Sequence, residues 1–173
     1  MALTAAQLAT FRTALLAETD PELVTYRTNG QTGLIAEWYS KPASTDFVVM
    51  RSSVSRHEII AETSPEGTVF SWAGAGYITR SQGERDAFRE MFNSTGTVDP
   101  RKPSIQAAFQ DIFSGTGNAA LNRAHIIAMS KRKASRIEKV FATGAGTTAS
   151  PGTLVFEGTI ADRDVDAAIA LQG

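Results

Sequence analysis

The sequence of 173 residues contains no cysteine and only two histidines, His57 and His125. Without cysteine the chain has no disulfide, no thiolate nucleophile and no sulfur ligand for a metal. No apolar run approaches the roughly 18 residues that a membrane span needs, and the first residues lack the basic segment and apolar core of a signal peptide. We therefore expect a soluble chain with no membrane partner and no cofactor.

An excess of charge of one sign is also missing. Seventeen Lys and Arg stand against eighteen Asp and Glu, which gives a formal net charge of −1. This balance argues against a chain built wholly around polyanion binding, so any charged partner must meet a local patch. The length and the 42% hydrophobic fraction are typical of one globular domain.

Motifs that carry catalysis are scarce as well. The segment GAGTTA (144–149) fits the dinucleotide pattern G-x-G-x-x-A, but it follows a basic helical stretch and precedes a proline, where a phosphate loop needs a strand before it and a helix after it. There is no G-x-S-x-G turn, and the D-x-D-x-D run at 162–166 has Ala167 where a calcium loop needs glycine. We expect a protein that is not an enzyme.

Helix signals dominate the chain. Thr4 with Gln7, Ser55 with Glu58 and Ser81 with Glu84 have the spacing of capping boxes, and Asp20-Pro21 is a typical helix start. Apolar residues recur at helical spacing over Ile105–Ile112, whereas short apolar runs at 47–50 and 153–156 have strand length. The fold class expected is mainly α: a compact helical domain with minor short strands and a flexible C-terminal arm.

The sequence divides most readily near residue 143. Residues 1–143 are expected to form a helical body that includes one long basic helix from about 118 to 141. Residues 144–173 then form the arm, which consists of a glycine-rich hinge, a short strand over Thr153–Phe156 and an acidic helix that begins at Asp162. The arm is too short to be an independent domain.

Charge is segregated between these two helices. In the long helix six cations accompany one acid, Glu138, so this segment carries +5 and the rest of the chain −6. At about 100° per residue, Arg132, Arg136 and Lys139 would stack along one side. The candidate partner-binding residues are Arg123, Lys131, Arg132, Lys133, Arg136, Lys139, Asp162, Asp164 and Asp166. These charges fit a solvated surface, a contact with an acidic protein or with nucleic-acid phosphates, or a head-to-tail contact between identical subunits.

Several segments together resemble a family of small virion proteins encoded among the head and tail genes of tailed bacteriophages. They are Trp38-Tyr39, FVVMRSSVSRHEI (47–59), FREMFN (88–93), DPRKPSIQAAFQDIFSG (99–115) and KRKASRIEKVFATGAGTTASPGTLVFEG (131–158). The similarity extends from about Asp20 to Asp166. Where the family usually has an aromatic-rich stretch, this chain has WAGAGY (72–77), so no contact is transferred to that segment.

The resemblance implies a structural role in the neck of a virion that is assembled in the host cytoplasm. The implied function is that of a head-to-tail connector or adaptor subunit that links the portal protein to the tail. Its partners would be the portal, adjacent neck or tail proteins and copies of itself in a ring of about twelve, with a possible contact to the DNA in the channel. A nucleic-acid-binding module that uses the basic helix, a tail terminator and a stopper remain as alternatives.

Overall fold

The computed structural model describes residues 3–171, which form a mainly α-helical protein with short strands. Helices account for 50% of the residues. The α-helices of the described residues are α1 (Ala5–Ala17), α2 (Pro21–Thr28), α3 (Thr32–Ser40), α4 (Arg56–Ala61), α5 (Gln82–Glu90), α6 (Pro103–Ile112), α7 (Asn118–Met129), α8 (Arg136–Phe141) and α9 (Asp162–Ala170). The strands are β1 (Val48–Met50), β2 (Val54–Ser55), β3 (Thr97–Val98) and β4 (Lys131–Lys133). The mainly α fold class with minor short strands is confirmed.

The chain forms two compact units. Unit 1 combines residues 3–49 with residues 133–171, and unit 2 consists of residues 50–132. The chain therefore passes into unit 2 within β1 and returns within β4. Among residues 3–171, no helix combines the length and the apolar character that crossing a membrane requires.

The helix starts follow the local capping signals of the sequence. In each of the expected boxes the cap hydroxyl accepts a backbone N–H three residues on, and the side chain at that third residue accepts the N–H of the cap residue. The Asp20 carboxylate caps α2 by accepting the N–H groups of Glu22 and Leu23. These four predicted helix starts are confirmed. They could be predicted from the sequence because each cap residue satisfies free backbone N–H groups within one helical turn, independently of the rest of the fold.

The core of unit 1 contains side chains from both the N-terminal and the C-terminal helices of the chain. Phe11 and Leu15 of α1 and Ile35 of α3 are fully buried with Val165 and Ala168 of α9. The expected division into a body of 1–143 and an arm of 144–173 therefore differs from the observed units. The apolar side chains after residue 144 complete a core that begins at the N-terminus, since burying them removes apolar surface from water.

The expected helix from about 118 to 141 is wrong as a single element. Helix α7 ends at Met129, β4 follows, and α8 begins after Ser135. The Ser135 hydroxyl accepts the N–H of Glu138, and the buried Glu138 carboxylate accepts the N–H of Ser135. This capping box starts a new helix within a stretch whose apolar residues at helical spacing indicated one continuous helix.

The expected strand at Thr153–Phe156 is also wrong. Within this segment only Thr153 pairs with another part of the backbone, exchanging hydrogen bonds with Thr143 at 2.9 and 3.0 Å. Val155 is 69% exposed while Phe156 is buried, so the segment buries one side chain without extending a sheet. The apolar run at 47–50 does form the short strand β1.

Unit 2 has an aromatic core. Its buried rings belong to Phe70, Tyr77, Phe88, Phe92, Phe109 and Phe113. The strands β2 and β3 pair antiparallel beside this core, with Val54 opposite Val98. The long segment between α4 and α5 contains a 3₁₀ turn at Gly74–Gly76, where Asn122 of α7 donates to the carbonyls of Ser71 and Gly76.

Acid is expected to weaken unit 2 through Glu84. Hydrogen bonds from the Ser81 hydroxyl, the Ser81 N–H and the Arg80 guanidinium lower the pKa of the Glu84 carboxyl. A carboxyl whose pKa is depressed by folding stabilises the protein above its unfolded pKa, about 4.3 for glutamate, and this contribution is lost as the pH falls through the folded value. Urea unfolding as a function of pH should therefore show a smaller loss on acidification in Glu84→Gln.

The matched control is Glu62→Gln, which removes an exposed carboxylate of the same unit that receives no hydrogen bond from the described residues. If Glu84→Gln and Glu62→Gln have the same pH dependence, Glu84 does not link protonation to unfolding.

Candidate partner-binding site

The charged residues proposed from the sequence lie on several elements. Arg123 is in α7, residues 131–133 form β4, and Arg136 and Lys139 are in α8. The expected stacking of Arg132 with Arg136 and Lys139 along one helix is wrong, because Arg132 lies in a strand. Only Arg136 and Lys139 remain one helical turn apart.

Arg123 has an internal role in unit 2. Its guanidinium donates hydrogen bonds to the carbonyls of Phe113 and Gly115, just beyond the C-terminal end of α6. Arg80 donates to the carbonyl of Ser114 at 2.6 Å in the same segment. Carbonyls at a helix C-terminus lack intrahelical partners and carry partial negative charge, so two guanidiniums stabilise this end.

The lysines of β4 differ in exposure. The Lys131 side chain is 15% exposed, and its Nζ lies 3.9 Å from the Glu66 carboxylate. The Lys133 side chain is 62% exposed and forms an ion pair of 2.8 Å with Asp46. Exposed ion pairs contribute little stability, so the pair of Lys133 with Asp46 adds little to the stability of unit 1.

The three aspartates of α9 also have different roles. Asp164 is buried and accepts the N–H groups of Ala161 at 3.0 Å and Leu3 at 3.4 Å, so it caps the helix from inside the unit. The partner-binding role expected for Asp164 from the sequence is therefore wrong, because its buried carboxylate already accepts two backbone N–H groups. Asp162 and Asp166 are exposed, and their spacing of four residues places them on one helix face.

A cleft of about 270 Å³ in unit 1 brings the α8 cations together with two aromatic residues. Its walls come from α1, from the C-terminal turn of α3 with the residues that follow it, and from α8. The lining residues are Ala14, Glu18, Trp38, Tyr39, Ala43, Ser44, Arg136, Lys139 and Val140.

The Arg136 guanidinium is held in one orientation within this cleft. It lies 3.7 Å from the centroid of the Trp38 ring, and its Nη1 donates to the Trp38 carbonyl at 3.4 Å. Arg136 Nε and Trp38 Nε1 are buried donors with no acceptor among residues 3–171. A buried donor without an acceptor costs about 1–3 kcal/mol, so these two atoms lower the stability of the cleft wall.

The rim of the cleft carries further polar groups. The exposed Lys139 Nζ donates to the Thr45 carbonyl at 3.3 Å. The Glu18 carboxylate accepts the N–H groups of Thr19 and Asp20, which occupies one of its oxygens. Burial, followed by the nearby Glu18 charge, raises the pKa of Tyr39, so its hydroxyl stays protonated at neutral pH. Two cations and one anion leave the cleft with a net positive charge suited to an acidic group.

The aromatic wall was missed as part of a site. Trp38 belongs to an apolar helical stripe, a pattern that indicates a core residue, and it is indeed 3% exposed. Arg136 is 98 residues away along the chain, so no local signal joins the two side chains.

The histidines do not form a site with these residues. His57 is exposed, whereas His125 is buried in unit 2, where its Nε2–H donates to the Ile59 carbonyl at 2.7 Å and its Nδ1 lies 3.1 Å from the Thr68 hydroxyl. Both ring nitrogens thus have partners, which tie α7 to α4 and to the segment that follows α4. Within residues 3–171, no group of three or more His, Asp or Glu side chains could hold a metal ion.

Comparisons with known proteins give no relative: no protein-family model, no curated protein and no solved structure matches this chain. The resemblance to the bacteriophage virion family stays a prediction from the motifs of the sequence.

Proposed function

We propose that this protein is a structural subunit of a tailed-bacteriophage virion, a head-to-tail connector that forms a ring with its own copies between the portal and the tail. The sequence segments that resemble the family support the virion role. The observation that carries the assembly role is that unit 1 exposes acids and bases on different elements. Lys133 and Lys139 lie on β4 and α8, while Asp162 and Asp166 lie on α9.

Such an arrangement suits contacts between identical subunits that use two different patches. When a basic patch of one copy meets an acidic patch of the next, the interface is heterologous and closes into a ring if the rotation between copies allows it. A net charge of −1 is compatible with this role, because the charges cancel between neighbours instead of attracting a polyanion.

Self-association driven by charge should depend on salt. We expect a ring of about twelve copies at low ionic strength and smaller species as salt rises, because the Debye length shrinks from about 10 Å at 0.1 M to about 3 Å at 1 M. Analytical ultracentrifugation over a concentration series measures this change. A mass that stays monomeric at low salt contradicts charge-driven assembly, and salt-sensitive binding of duplex DNA by such a monomer would favour the nucleic-acid-binding alternative.

Location in the particle tests the connector role separately. Gold-labelled antibody is expected to mark the neck of mature particles, and loss of the protein should leave DNA-filled heads and complete tails that do not join. Label on free tails before joining would instead favour a tail terminator. Absence from the mature particle would contradict a virion role altogether.

A further inference from the structure

We infer that the cleft of unit 1 binds the exposed face of α9 from a second copy of this chain, with Asp162 and Asp166 placed against Arg136 and Lys139. This inference rests on the proposed assembly role and specifies the contact. The cleft offers a partner two cations, Arg136 and Lys139, and apolar walls that include Ala14 and Val140.

The cations of the cleft are arranged for carboxylates. Stacking on Trp38 fixes the Arg136 guanidinium, and its one hydrogen bond to the described residues goes to the Trp38 carbonyl. A fixed planar guanidinium binds a carboxylate with less loss of entropy than a mobile one. Lys139, one turn further along α8, adds an exposed ammonium on the same side of the cleft.

The exposed face of α9 matches this arrangement. Asp162 and Asp166 are four residues apart, and Arg136 and Lys139 are three residues apart, so each pair has Cβ atoms about 5–6 Å apart. Neither aspartate forms an ion pair with the residues that the structure describes. Ile169, which is 46% exposed, continues the same face and provides an apolar group for walls that include Ala14 and Val140.

The contact must join different molecules. Helix α9 does not line the cleft of its own chain. Because cleft and helix are different patches of one unit, each copy uses its cleft toward one neighbour and its α9 toward the other, which is the head-to-tail geometry of a ring.

Charge reversal tests the pairing. Lys139→Glu gives the cleft a net negative charge, and Asp166→Lys places a cation on the α9 face beside Asp162. Each variant alone brings like charges together at positions 139 and 166, so each should weaken self-association. Mixing the two variants should restore it, since positions 139 and 166 then carry opposite charges at both kinds of contact. The double variant Lys139→Glu/Asp166→Lys should restore assembly within one chain.

The matched controls reverse charges of the same size at exposed positions of unit 2, as Lys102→Glu and Asp111→Lys. Both should assemble as the unaltered chain does when sedimentation is measured at one low salt concentration. Circular dichroism confirms that each variant is folded, and Trp38 emission in a Trp72→Phe background should change on assembly only where the cleft is occupied.

The outcomes separate this contact from the proposed function. If the chain forms rings that neither Lys139→Glu nor Asp166→Lys weakens, or if mixing fails to restore assembly, the contact is wrong while the connector role stands. If the chain never self-associates, the contact is also wrong, and labelling of the particle neck decides the role. If the charge swap succeeds but the protein is absent from necks, the contact holds and the connector role fails.

Discussion

Phe88→Ala is expected to lower the free energy of unfolding by about 3–5 kcal/mol, the range for removing a buried aromatic side chain. Phe88 is 1% exposed and occupies the centre of the aromatic core of unit 2. The ring centroids nearest to it lie at 5.3–6.4 Å and belong to Phe70, Tyr77, Phe92, Phe109 and Phe113. Truncation therefore removes contacts to five rings at once and leaves a cavity that these rigid side chains fill poorly.

Two further variants of unit 2 serve as comparisons for the stability loss of Phe88→Ala. Phe88→Leu retains much of the buried volume and should lose less than half as much stability, whereas Ile78→Ala removes a side chain that is 64% exposed and should change stability by less than about 0.5 kcal/mol. Urea unfolding followed by circular dichroism measures all three. Hydrogen exchange should locate the loss in α5 and α6, which contribute Phe88 and Phe109. A loss below about 1 kcal/mol in Phe88→Ala would mean that the core closes around the gap.

Local signals predicted most helix starts, and long-range contacts explain the failures. The caps at Thr4, Asp20, Ser55 and Ser81 act within one turn, so three or four residues suffice to recognise them. The box at Ser135 and Glu138 has the same spacing, yet it lies inside a basic run whose apolar residues recur at helical spacing and indicated one continuous helix. The union of α1, α3 and α9 in one core depends on contacts between the ends of the chain, which periodicity does not reveal.

The candidate site was predicted only in part, because its contacts also join residues that are far apart in the sequence. Charge pattern indicated Arg136 and Lys139, which do line a cleft, and equally Arg123 and Asp164, whose partners lie within the protein. A sequence shows that a residue is charged but not whether a backbone group already binds it. Trp38 provides the opposite case, because its apolar character hides its contact with a cation.

Gly146→Ala is expected to be the most damaging glycine substitution in unit 1, since two independent costs meet at this position. Gly146 has φ +63°, in the left-handed region, where a residue with a Cβ is strained by about 1–2 kcal/mol. A Cβ there would also collide with the ring of Phe47, which lies against the backbones of both Gly146 and Gly152. Displacing the ring adds about 1–3 kcal/mol of overpacking, for a combined loss of about 2–5 kcal/mol.

Gly30→Ala isolates the first cost, because Gly30 has nearly the same φ, +65°, and a Cβ there would meet no atom within 4 Å. Thermal and urea unfolding should give a smaller loss for Gly30→Ala than for Gly146→Ala. The second cost should disappear in Phe47→Ala/Gly146→Ala, whose loss is expected to be smaller than the sum of the two single losses. Equal losses at Gly146 and Gly30 would show that the Phe47 ring moves aside freely. If Gly146→Ala costs more stability than Gly30→Ala, and the excess disappears when Phe47 is truncated, the glycines of the 144–152 segment have a role in packing against Phe47. The composition of that segment does not reveal such a role.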